Sequence, residues 1–179
     1  EHAEWVELRN TTNRTLSLDG CVFVDNDHLD SLADDGADLS GVEVVAGDRV
    51  LLARSNDETL NGGLSPDVIF DFGLGNGGDE LLLICGEIQV DVVSYDDGES
   101  FPNAKGFSIV RGSERWCPAT SIYNTEHDQR GTPGQENDIC GQLESPNCWA
   151  QIDCVDGEYC MSGTCAPPTE GCTRNEECA

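Results

Sequence analysis

The stretch from Leu74 to Tyr95, LGNGGDELLLICGEIQVDVVSY, constrains the fold more than any other part of the sequence. Its opening glycines and asparagine predict a tight turn, because these residues accept the positive φ that such turns need. An apolar run, Leu81–Cys85, follows and ends at a glycine. Ile88, Val90 and Val92 then occupy alternate positions, which is the period-2 pattern of a half-buried strand. We expect a β-hairpin here, with upstream strands that pack on it.

The rest of the first 140 residues contains further short strand-like segments, separated by turns rich in Gly, Asp and Asn. No convincing helical periodicity interrupts them. Many short strands of this kind are typical of two packed sheets, so we predict an all-β sandwich. The other predicted strands are Trp5–Arg9, Leu16–Leu18, Cys21–Val24, Val42–Val45, Arg49–Ala53, Val68–Phe72 and Phe107–Arg111. Residues 116–137 show little periodicity.

Apolar residues at alternate positions of these strands are expected to fill the space between the two sheets. A core of this size is adequate for a domain of about 140 residues, in which roughly two thirds of the unfolded chain's surface becomes buried. The expected core residues are Val6, Leu8, Leu16, Val22, Val24, Val50, Leu52, Ile69, Leu81, Leu83, Val90, Val92, Phe107 and Ile109.

The chain is strongly acidic, with a formal net charge of −26. Such a surface repels nucleic acid and anionic membranes, since binding to either needs neutralising Lys and Arg side chains. We therefore expect neither nucleic-acid binding nor membrane insertion. The charge suits divalent cations, basic partners or a salt-rich medium that screens self-repulsion.

Ten cysteines in 179 residues indicate an oxidising compartment, so we expect an extracellular or cell-surface location. No signal peptide and no run of about 18 apolar residues is present, and we interpret the chain as a mature or excised segment. Cys117 and Cys140 flank a Gly-Thr-Pro-Gly sequence and are expected to form the disulfide Cys117–Cys140. Cys21 and Cys85 either pair across strands or stay as buried thiols.

A cysteine-rich module follows Cys140, so we predict two domains, at 1–140 and 141–179. Its C-x5-C-x5-C-x4-C spacing recurs after 24 residues as an incomplete second copy. The module resembles short cysteine repeats of secreted proteins, including Dickkopf-like and myxobacterial surface types. A segment with so few apolar residues cannot fold around a core of its own and needs cross-links. We favour the disulfides Cys148–Cys160 and Cys154–Cys165, because interleaved bridges give a compact knot. Zinc is disfavoured because C-x2-C spacing is missing.

Five short motifs are distributed over residues 4–137. They are EWVELRN at 4–10, DGCVF at 19–23, L-x-N-x-G-D-x-L-x-L at 74–83, GFSIVR at 106–111 and GTPG-x-x-N at 131–137. In this order and spacing they resemble the lamin-tail family, whose fold is an immunoglobulin-like β-sandwich. That family occurs in nuclear lamins and as an add-on module of secreted bacterial proteins, nucleases among them. The resemblance implies no catalytic residues. Cys21 and Val22 stand where the family has a tryptophan, so packing there is expected to differ.

The acidic loop Asp25–Gly41 is the strongest candidate for a metal site. Asp25, Asp27 and Asp30 crowd hard oxygen ligands into a short segment, which suits Ca²⁺ with its about six to eight oxygens. The glycine and glutamate of an EF-hand are missing, so a merely solvated acidic loop is the alternative. A second, weaker set is formed by Asp91, Asp96, Asp97 and Glu99. We expect no other cofactor.

Candidate catalytic residues are scarce. His2, His28 and His127 stand in polar stretches without a neighbouring nucleophile motif. Neither G-x-S-x-G, H-E-x-x-H nor a Walker glycine loop is present. We therefore expect no enzymatic activity within this chain. Asn10 and Asn13 each begin an N-x-T glycosylation sequon.

These features favour a non-enzymatic structural or adhesion module of a secreted or cell-surface protein. Its expected partner is another protein or a cell-surface or matrix component. Only three residues precede Glu4, where the lamin-tail family has a further strand, so self-association into a surface filament by strand complementation is also expected. The alternative is an accessory binding domain of a larger secreted hydrolase or nuclease, whose active site lies outside this chain.

Overall fold

The computed structural model describes residues 3–27, 36–75, 77–113 and 115–140, and the backbone of 159–161 and 164–166. These residues form β-strands and turns with almost no helix, so the all-β prediction is confirmed. The strands are β1 (Trp5–Arg9), β2 (Leu16–Ser17), β3 (Cys21–Asp25), β4 (Ala37–Asp38), β5 (Glu43–Val44), β6 (Arg49–Ala53), β7 (Val68–Ile69), β8 (Asp79–Cys85), β9 (Ile88–Tyr95), β10 (Ile109–Arg111), β11 (Trp116–Pro118), β12 (Ile122–Asn124), β13 (Gln129–Arg130), β14 (Tyr159–Met161) and β15 (Thr164–Ala166).

The chain divides into two compact units. The first unit consists of residues 1–94 and 133–135, and the second of residues 95–132 and 136–179.

The first unit contains a four-stranded and a three-stranded sheet. The four-stranded sheet has the order β4-β3-β8-β9, and the three-stranded sheet has the order β1-β6-β7. The pair β2–β5 forms a further small sheet. The predicted central hairpin is confirmed as β8 and β9, joined at Gly86, whose φ of 61° is the left-handed conformation that glycine tolerates best.

A disulfide, Cys21–Cys85, joins the two inner strands of the four-stranded sheet. Cys21 on β3 lies directly opposite Cys85 on β8, with their Cα atoms 3.9 Å apart. Of the two alternatives that the sequence left open, a cross-strand disulfide or two buried thiols, the structure contains the disulfide. The bridge holds β3 and β8 in register.

Three phenylalanines form the centre of the first unit's core. Phe23 of β3 contacts Phe70 and Phe72, which follow β7, at ring-centroid distances of 5.8 and 5.6 Å. All three are at most 5% exposed. Offset and edge-on aromatic contacts of this kind stabilise a core beyond their area burial. They join β3 of the four-stranded sheet to the segment that directly follows β7 of the three-stranded sheet.

The predicted core is correct in part. Val24, Val50, Leu52 and Leu81 are buried, whereas Val6, Leu8, Leu16, Val22, Leu83, Phe107 and Ile109 are only partly buried. The prediction is wrong for Ile69, Val90 and Val92, which are 43%, 55% and 40% exposed. The physical reason is their position: they lie on β7 and β9, the outermost strands of their sheets, where less of the protein covers a side chain.

The second unit contains strand pairs that periodicity did not reveal. The strands β10 and β11 pair antiparallel, and so do β12 and β13. A small cluster of Val110, Cys117 and Ala119 is buried there, with Cys140 packed against it. The disulfide Cys117–Cys140, which the sequence favoured, closes this cluster. Strands of two or three residues are too short to show an alternating pattern, so the sequence did not predict β11 to β13.

In the cysteine-rich region, only the hairpin of β14 and β15 is described. Cys160 on β14 lies opposite Cys165 on β15 in its backbone register. The predicted disulfides Cys148–Cys160 and Cys154–Cys165 lie outside the residues whose side chains are described.

Candidate functional site

Asp25, the first residue of the predicted calcium set, ends β3 and is only 5% exposed. Its Oδ1 accepts a 2.9 Å hydrogen bond from the backbone N–H of Asp27. Burial raises the pKa of Asp25, and the neighbouring Asp79 carboxyl raises it further, against the opposing effect of the Asp27 N–H. Asp25 is therefore a buried acid with a second carboxyl beside it.

The partner Asp79 was missed in the sequence, although a signal for it exists. In the register of β3 and β8, Asp25 lies opposite Leu81. Asp79 precedes Leu81 by two residues and therefore shares its side of the strand. The Oδ2 atom of Asp79 also accepts a 2.7 Å hydrogen bond from the N–H of Gly75, which ties the turn before β8 to the strand.

The structure brings together only part of the predicted calcium set. Asp25 is buried, Asp27 is exposed, and Asp30 lies outside the described residues. Among the residues that the structure describes, no group of three or more His, Cys, Asp or Glu side chains could hold a metal ion. The calcium site stays a prediction.

Asp96, from the second acidic set, organises its own loop. Its carboxylate accepts hydrogen bonds from the backbone N–H groups of Ser100 and Phe101, both at 2.9 Å, and also contacts the Ser100 hydroxyl. Burial raises the pKa of Asp96, but these hydrogen bonds together outweigh burial and lower it. The carboxylate therefore stabilises a turn.

One histidine and four cysteines have side chains that the structure describes. His127 is exposed, and His2 and His28 lie outside the described residues. The four cysteines whose side chains are described all form disulfides, namely Cys21–Cys85 and Cys117–Cys140. These cysteines therefore carry no free thiol.

The two sequons differ in their environment. Asn10 is 5% exposed, and its Nδ2 donates 2.8 Å hydrogen bonds to the carbonyl oxygens of Arg14 and Val44. Its Oδ1 accepts from both the N–H and the hydroxyl of Thr12. Asn10 is thus a buried structural amide, whereas Asn13 is exposed.

Within the described part of the chain, an exposed apolar feature lies on β9. Ile88, Val90 and Val92 are 69%, 55% and 40% exposed. Residues at alternate positions of a strand share one side, so these three form a continuous stripe, which we call the β9 face. The strand is the outermost one of the four-stranded sheet.

Acidic residues accompany the β9 face. Glu87 comes directly before β9, and Asp91 lies in β9 on the side opposite to the β9 face. Both residues are exposed. The sequence contains no Lys or Arg between Arg54 and Lys105, while Asp and Glu recur throughout that stretch. The β9 face is therefore an apolar surface in an anionic setting.

Glu7, on β1, connects two of the sequence motifs that resemble the lamin-tail family. Its Oε2 accepts a 2.6 Å hydrogen bond from the N–H of Gly134 in the GTPG motif. Its Oε1 lies 2.9 Å from Nε of Arg49 on β6. Burial raises the pKa of Glu7, against the opposing effects of Gly134 and Arg49.

No family model, no curated protein and no solved structure matches the chain. In the described part of the chain, no helix has both the length and the apolar character needed to span a membrane.

Proposed function

We propose that this chain is a non-enzymatic extracellular structural or adhesion module with an immunoglobulin-like β-sandwich of lamin-tail type. The observation that carries the proposal is the β9 face, a contiguous apolar stripe on an outer strand. Exposed stripes of this kind are typical of interaction surfaces, because isolated domains normally cover or interrupt them.

The disulfides support an extracellular location. Among the side chains that the structure describes, Cys21–Cys85 lies in the first unit and Cys117–Cys140 in the second. Disulfides form and persist in oxidising compartments and are rare in the reducing cytosol.

The contacts within the first unit support the lamin-tail assignment. Glu7 of the opening motif bonds Gly134 of the closing motif, as expected if both belong to one domain. The aromatic contact between Phe23 and Phe70 connects elements of its two larger sheets, as in a two-layer β-fold.

A surface filament is a second candidate, favoured by the outer strands of the first unit. The outer strands are β1 and β7 in the three-stranded sheet and β4 and β9 in the four-stranded sheet. Strand addition that does not close on itself generates a fibre. The charge of −26 would oppose such assembly unless salt or divalent cations screened it.

The location is tested with a membrane-impermeant amine-reactive label on intact cells of the source organism. The only lysine, Lys105, is exposed and provides the target. Peptide mapping should find Lys105 labelled before lysis. Labelling only after lysis would refute the extracellular assignment.

Mass spectrometry of the intact native protein separates the module from the alternative of an accessory domain. A catalytic domain in the same polypeptide would favour a hydrolase or nuclease with this chain as its binding domain. Further cysteine repeats would favour the structural module. Electron microscopy of the same material tests the filament.

A further inference from the structure

The strand β9 lacks two of the features that usually protect an outer strand. Natural edge strands carry Lys, Pro or a bulge that prevents pairing with another chain. Residues 85–95 contain neither Lys nor Pro. The exposed apolar side chains instead occupy three consecutive positions on one side of the strand, at 88, 90 and 92.

The two sides of β9 impose different requirements on a strand placed beside it. On one side, Ile88, Val90 and Val92 need apolar neighbours, because cross-strand pairs of apolar side chains stabilise a sheet. On the other side, Asp91 favours a cation directly opposite, because opposite charges stabilise such pairs and like charges destabilise them. Asp91 is the one acidic residue of β9, and the sequence holds no Lys or Arg between Arg54 and Lys105. A strand that alternates apolar and basic residues therefore complements both sides of β9 and its anionic setting.

We propose that the outer edge of β9 binds an extended segment of another protein, with alternating apolar and basic residues, as an added strand. Main-chain hydrogen bonds would provide affinity and the alternating side chains would provide specificity. The proposal rests on the proposed function in that the partner meets the chain outside the cell.

A second copy of this chain is disfavoured as the occupant by charge. Two copies bring together net charges of −26 each, and β9 paired with itself would bring no cation to Asp91, since the strand contains neither Lys nor Arg. None of the nine Lys and Arg residues stands two positions from another, so the chain contains no segment with the required alternation.

The test uses the complete, oxidised chain and a fluorescent peptide, acetyl-KVKVKVKV-amide, whose length matches the eight residues of β9. Binding is measured by fluorescence anisotropy. A peptide of the same composition, KKKKVVVV, controls for charge without alternation. We expect the alternating peptide to bind at least about tenfold more tightly than the block peptide, because only it satisfies both sides of β9.

Val90→Glu tests the β9 face, and Val45→Glu is the matched control. Val90 and Val45 are 55% and 57% exposed, so the two variants add the same charge at equally exposed valines. We expect Val90→Glu to weaken binding by about tenfold or more, because the new carboxylate must be desolvated among apolar groups. Val45→Glu should bind as the original chain does. Purely electrostatic attraction predicts unchanged or tighter binding for both variants and would overturn the proposal.

Two further measurements keep the test decisive. If Val90→Glu does not fold, Val90→Thr replaces it in the binding test, because threonine keeps the β-branched shape of valine. Val90→Thr should also weaken binding of the alternating peptide. An alternating peptide with N-methylated amides on its pairing edge should lose binding. Undiminished binding by that peptide would refute strand addition.

Sedimentation of the chain without peptide tests whether a second copy of the chain binds the edge of β9. Dimers that form without peptide and disappear in Val90→Glu would identify a second copy and overturn the proposal. Failure of all peptides to bind would overturn it as well, while Lys105 labelling on intact cells would still support an extracellular module. Conversely, a catalytic domain in the native polypeptide would refute the proposed function and leave the peptide result unaffected.

Discussion

Glu7 and Gly134 are separated by 127 residues, and a 2.6 Å hydrogen bond from the Gly134 N–H to Glu7 Oε2 joins them. The same carboxylate lies 2.9 Å from Nε of Arg49, and the two side chains are only about a tenth exposed. One carboxylate thus holds the closing motif of the first unit to strands β1 and β6.

Replacement of Glu7 should be costly. In Glu7→Ala the Gly134 N–H loses its acceptor and Arg49 loses a buried carboxylate, so we expect destabilisation by about 3 kcal/mol, as for other broken buried pairs. Glu7→Gln keeps an acceptor for Gly134 and should cost less. Urea unfolding gives both values. Glu4→Ala is the matched control, because the Glu4–Arg54 pair has the same 2.9 Å separation but is about a quarter exposed; its cost should stay below about 1 kcal/mol. Equal costs at both positions would contradict this account.

Asn61 should be essential for the loop that connects β6 and β7. It is fully buried, and its Nδ2 donates to the carbonyl oxygens of Ser55 and Leu64 at 2.8 and 2.9 Å. Its Oδ1 accepts from the N–H of Leu64. Asn61→Ala removes the hydrogen-bond partner of these backbone groups. We expect the free energy of unfolding to fall by about 2 kcal/mol or more. Thermal melting of Asn61→Ala beside the exposed-site variant Asn56→Ala measures it. A loss no larger than that of the Asn56 variant would contradict the prediction.

Asp25 should make stability depend on pH. Burial, together with the Asp79 carboxyl, raises its pKa above the ordinary value of 3.8. The native state then holds this proton more tightly than the unfolded chain does. The stabilisation from Asp25 is fully present below the unfolded pKa and is lost as pH rises through the folded pKa. Asp25→Asn, which keeps the acceptor for the Asp27 N–H, removes this titration. We expect Asp25→Asn to gain stability relative to the original chain as pH rises above the ordinary pKa of 3.8, measured by urea unfolding.

The pKa of Asp138 is shifted in the opposite direction to that of Asp25, so its effect on stability should have the opposite pH dependence. Burial alone would raise its pKa, but hydrogen bonds from Ser121 and Thr120 together lower it below 3.8. Its stabilisation is present above the unfolded pKa and is lost as pH falls through the folded pKa. Asp138→Asn should therefore be most destabilising near neutral pH and least destabilising in acid. The same pH trend in both variants would contradict the two assignments.

Gly112 should tolerate no side chain. A Cβ atom there would lie 2.6 Å from Sγ of Cys140 and 3.0 Å from the carbonyl oxygen of Arg115. The disulfide Cys117–Cys140 limits the movement of that sulfur. We expect Gly112→Ala to destabilise the chain by about 1–3 kcal/mol, as other overpacked sites do. Differential scanning calorimetry checks this against Gly77→Ala, where a Cβ would contact nothing within 4 Å. An unchanged melting temperature for Gly112→Ala would contradict the prediction and would show that the strand pair β10–β11 shifts to accommodate the methyl group.

Local patterns in the sequence predicted the strands well, and the burial of their side chains less well. The alternation at 88–92 and the glycine at 86 placed β8 and β9 correctly, because strand periodicity and turn chemistry are local properties. Whether a side of a strand is covered depends on its place in the sheet. That place is decided by distant residues, so Val90 and Val92 were wrongly expected in the core.

The candidate site was predictable only in fragments. Phe23 and Val24 are neighbours on β3 and are both buried, so simple alternation could not select a single buried side there. Asp25 stood out by its acidic context, but its interaction with Asp79 depends on the pairing of β3 with β8. Asn61 resembled any polar loop residue, because its burial follows from the path of the surrounding loop.

The Cys21–Cys85 bridge also has a mechanical consequence. The two residues are 64 positions apart, so the chain between them forms a covalently closed loop. A pulling force applied outside the loop passes through the sulfur atoms and leaves the loop unstretched. At about 3.5 Å per extended residue, the bridge withholds roughly 200 Å of contour length from extension. Under oxidising conditions the segment from Cys21 to Cys85 would act as a nearly inextensible link, and reduction would let the same segment extend into a long tether under force.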